Sequence, residues 1–316
     1  MSDRHRLEAE VQFLESPVRL DKYVSEHLGL FPRTQYERRA VEVLLHAKPV
    51  KPSYKLRGGE IITVGWNDLP DISMEPQDLP LDILYEDSTT LVVNKPRGMV
   101  VHPAQGNWTG TLVQGLLFYV KELEEEFHDT DLRPGIVHRL DKDTTGVLVT
   151  AKSASALEHL SSQFRDRTTH KTYYAVLKGV PREKQGRLET SLRRDPLHRQ
   201  RFAVAPPGTG KIAVTDWKVL AAAGNYSLVV FLPQTGRTHQ LRVHAQHLHC
   251  PILGDPIYSR PDPHRPNAPL MLHAARLEII LPDEVAPRSF QAPLPEDFRK
   301  VLLGLGLPDP PICVPG

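Results

Sequence analysis

The feature that most constrains this 316-residue chain is an abrupt change of charge near residue 66. Arg33 to Arg57 carries seven basic and two acidic residues, whereas Trp66 to Thr90 carries seven acidic and none basic. Residues 66–82 (WNDLPDISMEPQDLPLD) mix Pro, Asp and scattered apolar positions without helical or strand period, which is the composition of a linker between folded units. The length suits one large or two modest domains. The break therefore predicts a unit over 1–65, an acidic linker over 66–82 and a larger unit over 83–316.

At 40% hydrophobic and 24% charged, the chain has the balance of a globular protein. No apolar run approaches the roughly 18 residues a membrane span needs. The start, MSDRHRLEAEVQFLE, has no apolar stretch, and Asp3, Glu8 and Glu10 count against a targeting peptide. Cys250 and Cys313 form neither a disulfide framework nor a CxxC motif, so a reducing compartment, and hence the cytoplasm, is expected. The net charge of +1 excludes an indiscriminately polybasic protein, but it averages unlike segments. Residues 33–57 sum to +5, residues 66–90 to −7 and residues 161–201 to +7.

In the first unit, Leu20, Tyr23, Val24 and Leu28 recur at helical spacing, as do Tyr36, Ala40, Val43 and Leu44, predicting helices over 19–28 and 33–45. Lys48 to Val64 reads as short strands, with Gly58-Gly59 at one turn. Arg33, Arg38 and Arg39 fall away from the apolar stripe, and Lys51, Lys55 and Arg57 follow on the strands. Such a cluster is either a solvated face or a polyanion-binding surface.

The second unit alternates β-like runs (91–94, 147–152, 172–177, 213–220, 228–232, 276–281) with helix candidates over 111–126, 154–165, 239–247 and 295–303. The irregular alternation predicts a mixed, mainly antiparallel α+β domain. Three clusters in it could carry chemistry. In Gly135-Ile-Val-His138-Arg139-Leu140-Asp141-Lys142-Asp143-Thr144-Thr145-Gly146, a carboxylate in a polar turn beside a strand can be a nucleophile or base, and equally can cap the turn. In the strand Thr169 to Val176, alternation puts Lys171, Tyr173 and Ala175 on one face and Thr172, Tyr174 and Val176 on the other. A strand tyrosine serves packing as readily as catalysis.

The third cluster is Gln234-Thr-Gly236-Arg237-Thr238-His239-Gln240-Leu241-Arg242-Val243-His244, followed by His247 and His249. No histidine pair has i, i+4 spacing and no second thiol accompanies Cys250, so no metal site is expected. Thr238 reads as the N-cap of a helix that turns Leu241, His244 and Leu248 inward, leaving Arg237 on the preceding loop. No GxSxG, GxxxxGK[ST] or GxGxxG motif is present, which excludes the usual hydrolase, ATPase and nicotinamide templates and any nucleotide cofactor of those kinds.

Together these clusters resemble the RluA-type family of RNA pseudouridine synthases. The likeness runs through Asn94-Lys95-Pro96, Val101-His102-Pro103, His138-Arg139-Leu140-Asp141, Lys171-Thr172-Tyr173, Gly236 to His244, Gly254-Asp255-Pro256-Ile257-Tyr258 and Leu272-His273-Ala274, in order. The family often has Ser where this chain has Thr145, which keeps the hydroxyl. The first unit resembles an S4 RNA-binding domain through RLDKYVSEHL, RTQYERRAVEVLL and KPVKPSYKLRGGEIITV. It departs at Leu45-His46-Ala47-Lys48, which lacks the glycine that favours a tight primed turn and so predicts a wider or displaced hairpin.

The resemblance implies a cytoplasmic, cofactor-independent isomerase, expected as a monomer, that converts uridine to pseudouridine in RNA, most often large-subunit ribosomal RNA. It implies Asp141 as nucleophile, Tyr173 against the target base and able to move the proton, and Arg237 paired with the nucleophile to fix its orientation. Arg139 would enter the stack vacated by a flipped uridine, Leu241 would wall the base pocket, and Lys171 would contact substrate. Arg33 and Arg38 in the first unit, and Arg193, Arg194 and Arg199 in the run Leu192 to Arg201, would hold RNA phosphates. Two other readings are open at this level: the same chemistry on transfer RNA, and a ribosome assembly factor that binds RNA without catalysis.

Overall fold

The computed structural model describes residues 4–31, 35–36, 39–67, 75–103, 106–121, 123, 127, 134–198 and 200–311. The chain forms two compact units, 1–73 and 74–316. Arg33, Arg38 and Arg199 lie outside the described residues.

In the first unit, β1 (Arg4–Glu10), β6 (Ile61–Asn67), β3 (Glu42–Leu45) and β4 (Lys48–Val50) form an antiparallel sheet in the order β1-β6-β3-β4. A second pair joins β2 (Val18–Arg19) to β5 (Lys55–Leu56). Helix α1 (Leu20–Glu26) turns Leu20, Tyr23 and Val24 into a core with Phe31, Val43, Leu56, Ile62 and Val64. Strand β1 was hidden in the sequence by its charges; they alternate outward while the strand pairs with β6 along its length. Because β6 runs to Asn67, the first unit extends past the expected break at 65.

Two expectations for this unit need correction. A helix over 33–45 does not form: Ala40 sits at φ 44° and residues 42–45 are a strand, Val43 pairing with both Val50 and Val64. The apolar spacing suited either period, and sheet pairing won over helical propensity. The β3–β4 hairpin, expected to be wide, is tight: Leu45 pairs with Lys48, leaving His46 and Ala47 at φ 47° and 62°. That is the primed-turn geometry usually given to Asn-Gly, adopted here at a cost of about 1–2 kcal/mol per residue.

The second unit is built on a ten-stranded sheet. Its strands are β7 (Ile83–Glu86), β8 (Thr90–Lys95), β9 (Thr145–Ala151), β10 (His170–Lys178), β11 (Gln185–Arg194), β12 (Phe202–Ala205), β13 (Lys211–Ala223), β14 (Tyr226–Pro233), β15 (Leu272–Ile279) and β16 (Arg288–Gln291). The order is β12-β11-β13-β14-β10-β15-β9-β8-β7, with β16 on β15. Every pairing is antiparallel except β15 with β9, so the fold is α+β with a mixed, mainly antiparallel sheet.

Five helices lie in the two units together, the second unit holding α2 (Leu112–Tyr119), α3 (Ala154–Asp166), α4 (Gln240–His247) and α5 (Glu296–Leu305) among the described residues. Thr111 and Gln114 form a capping box on α2, and Ser153 caps α3 by accepting from Ala156 N at 3.2 Å. Helix α2 ends earlier than expected, Val120 being extended. Helix α4 is not capped by Thr238: its N-cap is His239, in the left-handed region at φ 57° with no side-chain cap bond. Among the described residues no helix is long and apolar enough to cross a membrane.

Two strands of the sheet approach closely at Gly146. A Cβ there would stand 2.1 Å from the Ala274 carbonyl oxygen, and φ is 114°. Glycine is what lets β9 run beside β15 in the register His273 with Thr145 and Ala274 with Gly146. This junction places the loop that precedes β9 over the centre of the sheet.

Candidate active site

That loop, residues 138–144, carries Asp141, and its position is set by buried donors rather than by regular structure. Lys95, at the end of β8, is fully buried, and its Nζ donates to the carbonyls of Pro96, Met99 and Lys142 at 2.8, 2.9 and 3.0 Å. Burial pushes the Lys95 ammonium down to about 7, against the pull of Asp143 and Asp141. Arg97 Nη1 donates to Asp143 O at 3.0 Å and Leu270 O at 2.6 Å. Thr144 N donates to Asp141 O at 3.1 Å, closing the turn. Thr145 Oγ1 meets His273 Nδ1 at 2.8 Å, and His138 Nε2 accepts from Val149 N at 3.1 Å.

The Asp141 side chain is about one-fifth exposed and faces α4. Its Oδ2 lies 3.2 Å from Arg242 Nη1 and 3.8 Å from His239 Nε2. Arg242 is itself clamped. Its Nε and Nη2 donate to the two oxygens of Asp255 at 2.7 and 2.8 Å, a bidentate fork. Asp255 is fully buried at its side chain and also accepts from Ile257 N and Tyr258 N at 2.8 and 3.0 Å. Although burial opposes it, the paired carboxylates Asp255 and Asp141 hold the guanidinium pKa above its ordinary value.

This corrects the expectation for Arg237. The arginine paired with Asp141 is Arg242, five residues on; Arg237 lines the same cleft, but its Nε donates to Ile212 O at 3.0 Å. Both arginines lie in the motif Gly236 to His244, and only the helix start at Gln240 decides which one points inward. His239 was also missed as a site residue. Tyr258 OH accepts from Phe202 N at 2.8 Å and hydrogen-bonds His239 Nδ1 at 2.9 Å, which holds the ring with Nε2 towards Asp141. Burial outweighs Asp141 and lowers the His239 pKa. The signal for both residues was the later Gly254-Asp255-Pro256-Ile257-Tyr258 run, whose Asp and Tyr are their partners.

Tyr173, half-buried on β10, lines the cleft with Arg139, Leu140, Thr144, Leu241 and Leu272. Burial and the nearby Asp141 raise its phenol pKa above the ordinary value, so it is protonated at neutral pH. Arg139 is exposed at the rim and Leu241 forms an apolar wall. Lys171 does not share this cleft. The extra residue where β10 pairs with β15 is Ala275 on β15, so β10 keeps its alternation, with Thr172 and Tyr174 lining another cavity together; Lys171 is separated from the cleft by its distance along the strand. Lys171 lines a neighbouring cavity, with its Nζ 5.7 Å from the centre of the Phe164 ring.

The arginine-rich run opens at the end of a hairpin strand. Arg193 and Arg194 are exposed on β11, opposite Ala203 and Phe202 of β12. Asp195 Oδ1 organises the tip by accepting from Leu197 N at 2.8 Å and His198 N at 3.2 Å. His244 lies buried between Thr215 and Thr190, 2.9 Å from each hydroxyl. No group of three or more His, Cys, Asp or Glu arranged to hold a metal occurs among the described residues.

Residues 89–247, about half of the chain, match the family model for RNA pseudouridylate synthase. The chain belongs to the RNA pseudouridine synthase family. The synthase is 40% identical over 308 residues to a Borreliella burgdorferi protein named ribosomal large subunit pseudouridine synthase D, covering 95% of this chain and 92% of that one. A Neisseria meningitidis protein of the same name is 40% identical over 305 residues, covering 92% and 79%. Among solved structures, the synthase is similar to human RNA pseudouridylate synthase domain containing 4, with TM-score 0.58, 30% identity and coverage of 73% of this chain and 95% of that one.

Proposed function

We propose that this synthase isomerises specific uridines to pseudouridine in large-subunit ribosomal RNA, in the cytoplasm and without a cofactor. The observation that carries the catalytic part is the Asp141 carboxylate in an open cleft, held by Arg242, which is in turn locked by Asp255. Related proteins that match more than nine-tenths of this chain bear the large-subunit name, which favours ribosomal over transfer RNA. The intact carboxylate, arginine and tyrosine constellation favours an enzyme over an RNA-binding assembly factor.

The reaction breaks the bond from the sugar C1′ to N1 and forms one from C1′ to C5, after which C5 loses a proton and N1 holds one. No electrons are gained or lost. Asp141 is the nucleophile. Arg242 orients it, a role that passes from Arg237 to its neighbour on α4. Tyr173 and Leu241 close on the two sides of the flipped base, and the Tyr173 phenol, protonated at neutral pH, is the group that relays the proton. Arg139 at the rim fills the vacated stack, offsetting part of the few kcal/mol lost on flipping. Arg237 on the cleft edge and Arg193 and Arg194 on the hairpin contact RNA phosphates, as does Arg199. The first unit acts as an S4-like RNA-binding domain, its exposed Lys48, Lys51, Lys55 and Arg57 joining Arg33 and Arg38 in that surface.

The test is Asp141→Asn. Ribosomal RNA fragments incubated with the purified variant gain no pseudouridine, while RNA affinity stays within a few-fold of wild type. Retained pseudouridine formation would remove Asp141 from the nucleophile role.

A further inference from the structure

A second cavity, of about 560 Å³, lies beside the catalytic cleft and shares Pro233 with it. Its volume is in the range of ligand pockets. Its walls are charged, and most of the charges are already matched. Glu278 is paired with Arg276. Asp216 accepts from Gln234 Nε2 at 2.8 Å and stands 3.6 Å from Arg187. Two cations remain on the lining, Arg167 and Lys171, and neither has an acidic partner among the described residues.

Lys171 is partly desolvated, and burial together with Arg167 presses its ammonium down to about 8. A cation held against a like charge is relieved by an anion. Thr169 also lines the cavity; it is 5% exposed, and its hydroxyl has no hydrogen-bond partner. An unsatisfied buried hydroxyl is costly, and an accepting oxygen would satisfy it.

We propose that this cavity binds a phosphodiester of the substrate RNA next to the target uridine, with Lys171 and Arg167 as its cations and Thr169 as its hydroxyl donor. The inference rests on the function proposed above and adds a subsite to it. Two arguments select a backbone phosphate rather than a base. The lining holds no Phe, Tyr or Trp on which a base could stack, His170 being its one aromatic ring. Lys171 is two residues from Tyr173 on β10, roughly 7 Å along the strand, within reach of the nucleotide joined to the one in the cleft.

The experiment uses the full chain and a ribosomal RNA fragment in which wild-type protein is first shown to form pseudouridine. Absence of any such fragment would defeat the functional reading rather than the subsite. Affinity is measured against salt for wild type, Lys171→Gln, Arg167→Gln and Lys171→Arg. Each glutamine variant should bind about tenfold more weakly at 100 mM salt and lower the slope of log affinity against log salt by about one, and the arginine variant should restore both. A neutral methylphosphonate at one linkage flanking the uridine should reproduce the loss in wild type and add nothing in Lys171→Gln. Unchanged slope and affinity in both glutamine variants would overturn the proposal. Should a variant fail to fold, the methylphosphonate series on wild type decides, and the proposal falls if no flanking linkage is sensitive.

Discussion

Arg242 Nη1 stands 3.2 Å from Asp141 Oδ2 across a gap of 101 residues, while its other two nitrogens are held by the buried Asp255. The guanidinium is therefore a fixed strut between a carboxylate that supports the fold and one that faces the cleft. Its orientation does not depend on Asp141, so Asp141 can move towards a substrate without releasing it.

Arg242→Gln removes the strut. Single-turnover pseudouridine formation should fall by roughly 10²-fold or more. Asp255 is left as a buried charge with only backbone donors, so stability should fall by about 3–5 kcal/mol in denaturant titration. Arg237→Gln, by contrast, removes a charge from the cleft edge and should slow the single-turnover step by no more than about tenfold. Equal losses in the two variants would show that the ion pair at Asp141 is not what matters.

Lys95→Met strands three carbonyls that have the ammonium as a common donor, and each buried group without its partner costs about 1–3 kcal/mol. A fall in Tm of roughly 5–10 °C is expected. The pH dependence carries a second signature. Folded Lys95 titrates at about 7 against 10.5 when unfolded, so between those values the unfolded chain binds more protons. Wild type should thus gain stability relative to Lys95→Met as pH rises from 7 to 10.5, read by urea titration at several pH values.

Gly146→Ala tests the strand junction. The added methyl would meet backbone atoms of Ala274 at 2.1, 2.7 and 2.9 Å, none of which can rotate away. A loss of about 4 kcal/mol or more is expected, seen as a lower midpoint in denaturant or as insoluble protein. A variant with wild-type stability would contradict the close approach of β9 and β15.

Acid should weaken the fold through two buried imidazoles. His244 and His273 are fully buried, and burial lowers each to about 4, against 6.5 unfolded. Between those values the unfolded chain binds more protons, so stability is complete above pH 6.5 and drains as pH falls towards 4, by up to about 3 kcal/mol for each histidine. The slope of stability against pH in this window should be shallower in His244→Gln and His273→Gln than in wild type.

Much of the second unit was legible before folding, because its strands carry continuous β-branched and apolar runs such as Val147-Leu148-Val149, and its helices keep their amphipathic period. The failures share one cause. Strand β1 alternates charges, β3 has apolar spacing that fits two periods, and β11 with β12 holds an arginine-rich run with no β-like apolar signal. Each is made a strand by the neighbour it pairs with, and a neighbour is not a local property. The same holds for the hairpin at His46-Ala47, where flanking strands impose a turn that these residues would not choose alone.

For the site, sequence alone determined the residue types and the loops that carry them: a carboxylate in a polar turn before a buried strand, a tyrosine on the next strand, and two arginines around a helix start. It could not decide between Arg237 and Arg242, nor whether Lys171 shares the cleft of Tyr173. Those choices were made by tertiary structure. The first depends on where Asp255 is brought to grip a guanidinium, and the second on which segments close around each stretch of β10. Both are consequences of segments far apart in the chain meeting in space, which no local pattern of residues encodes.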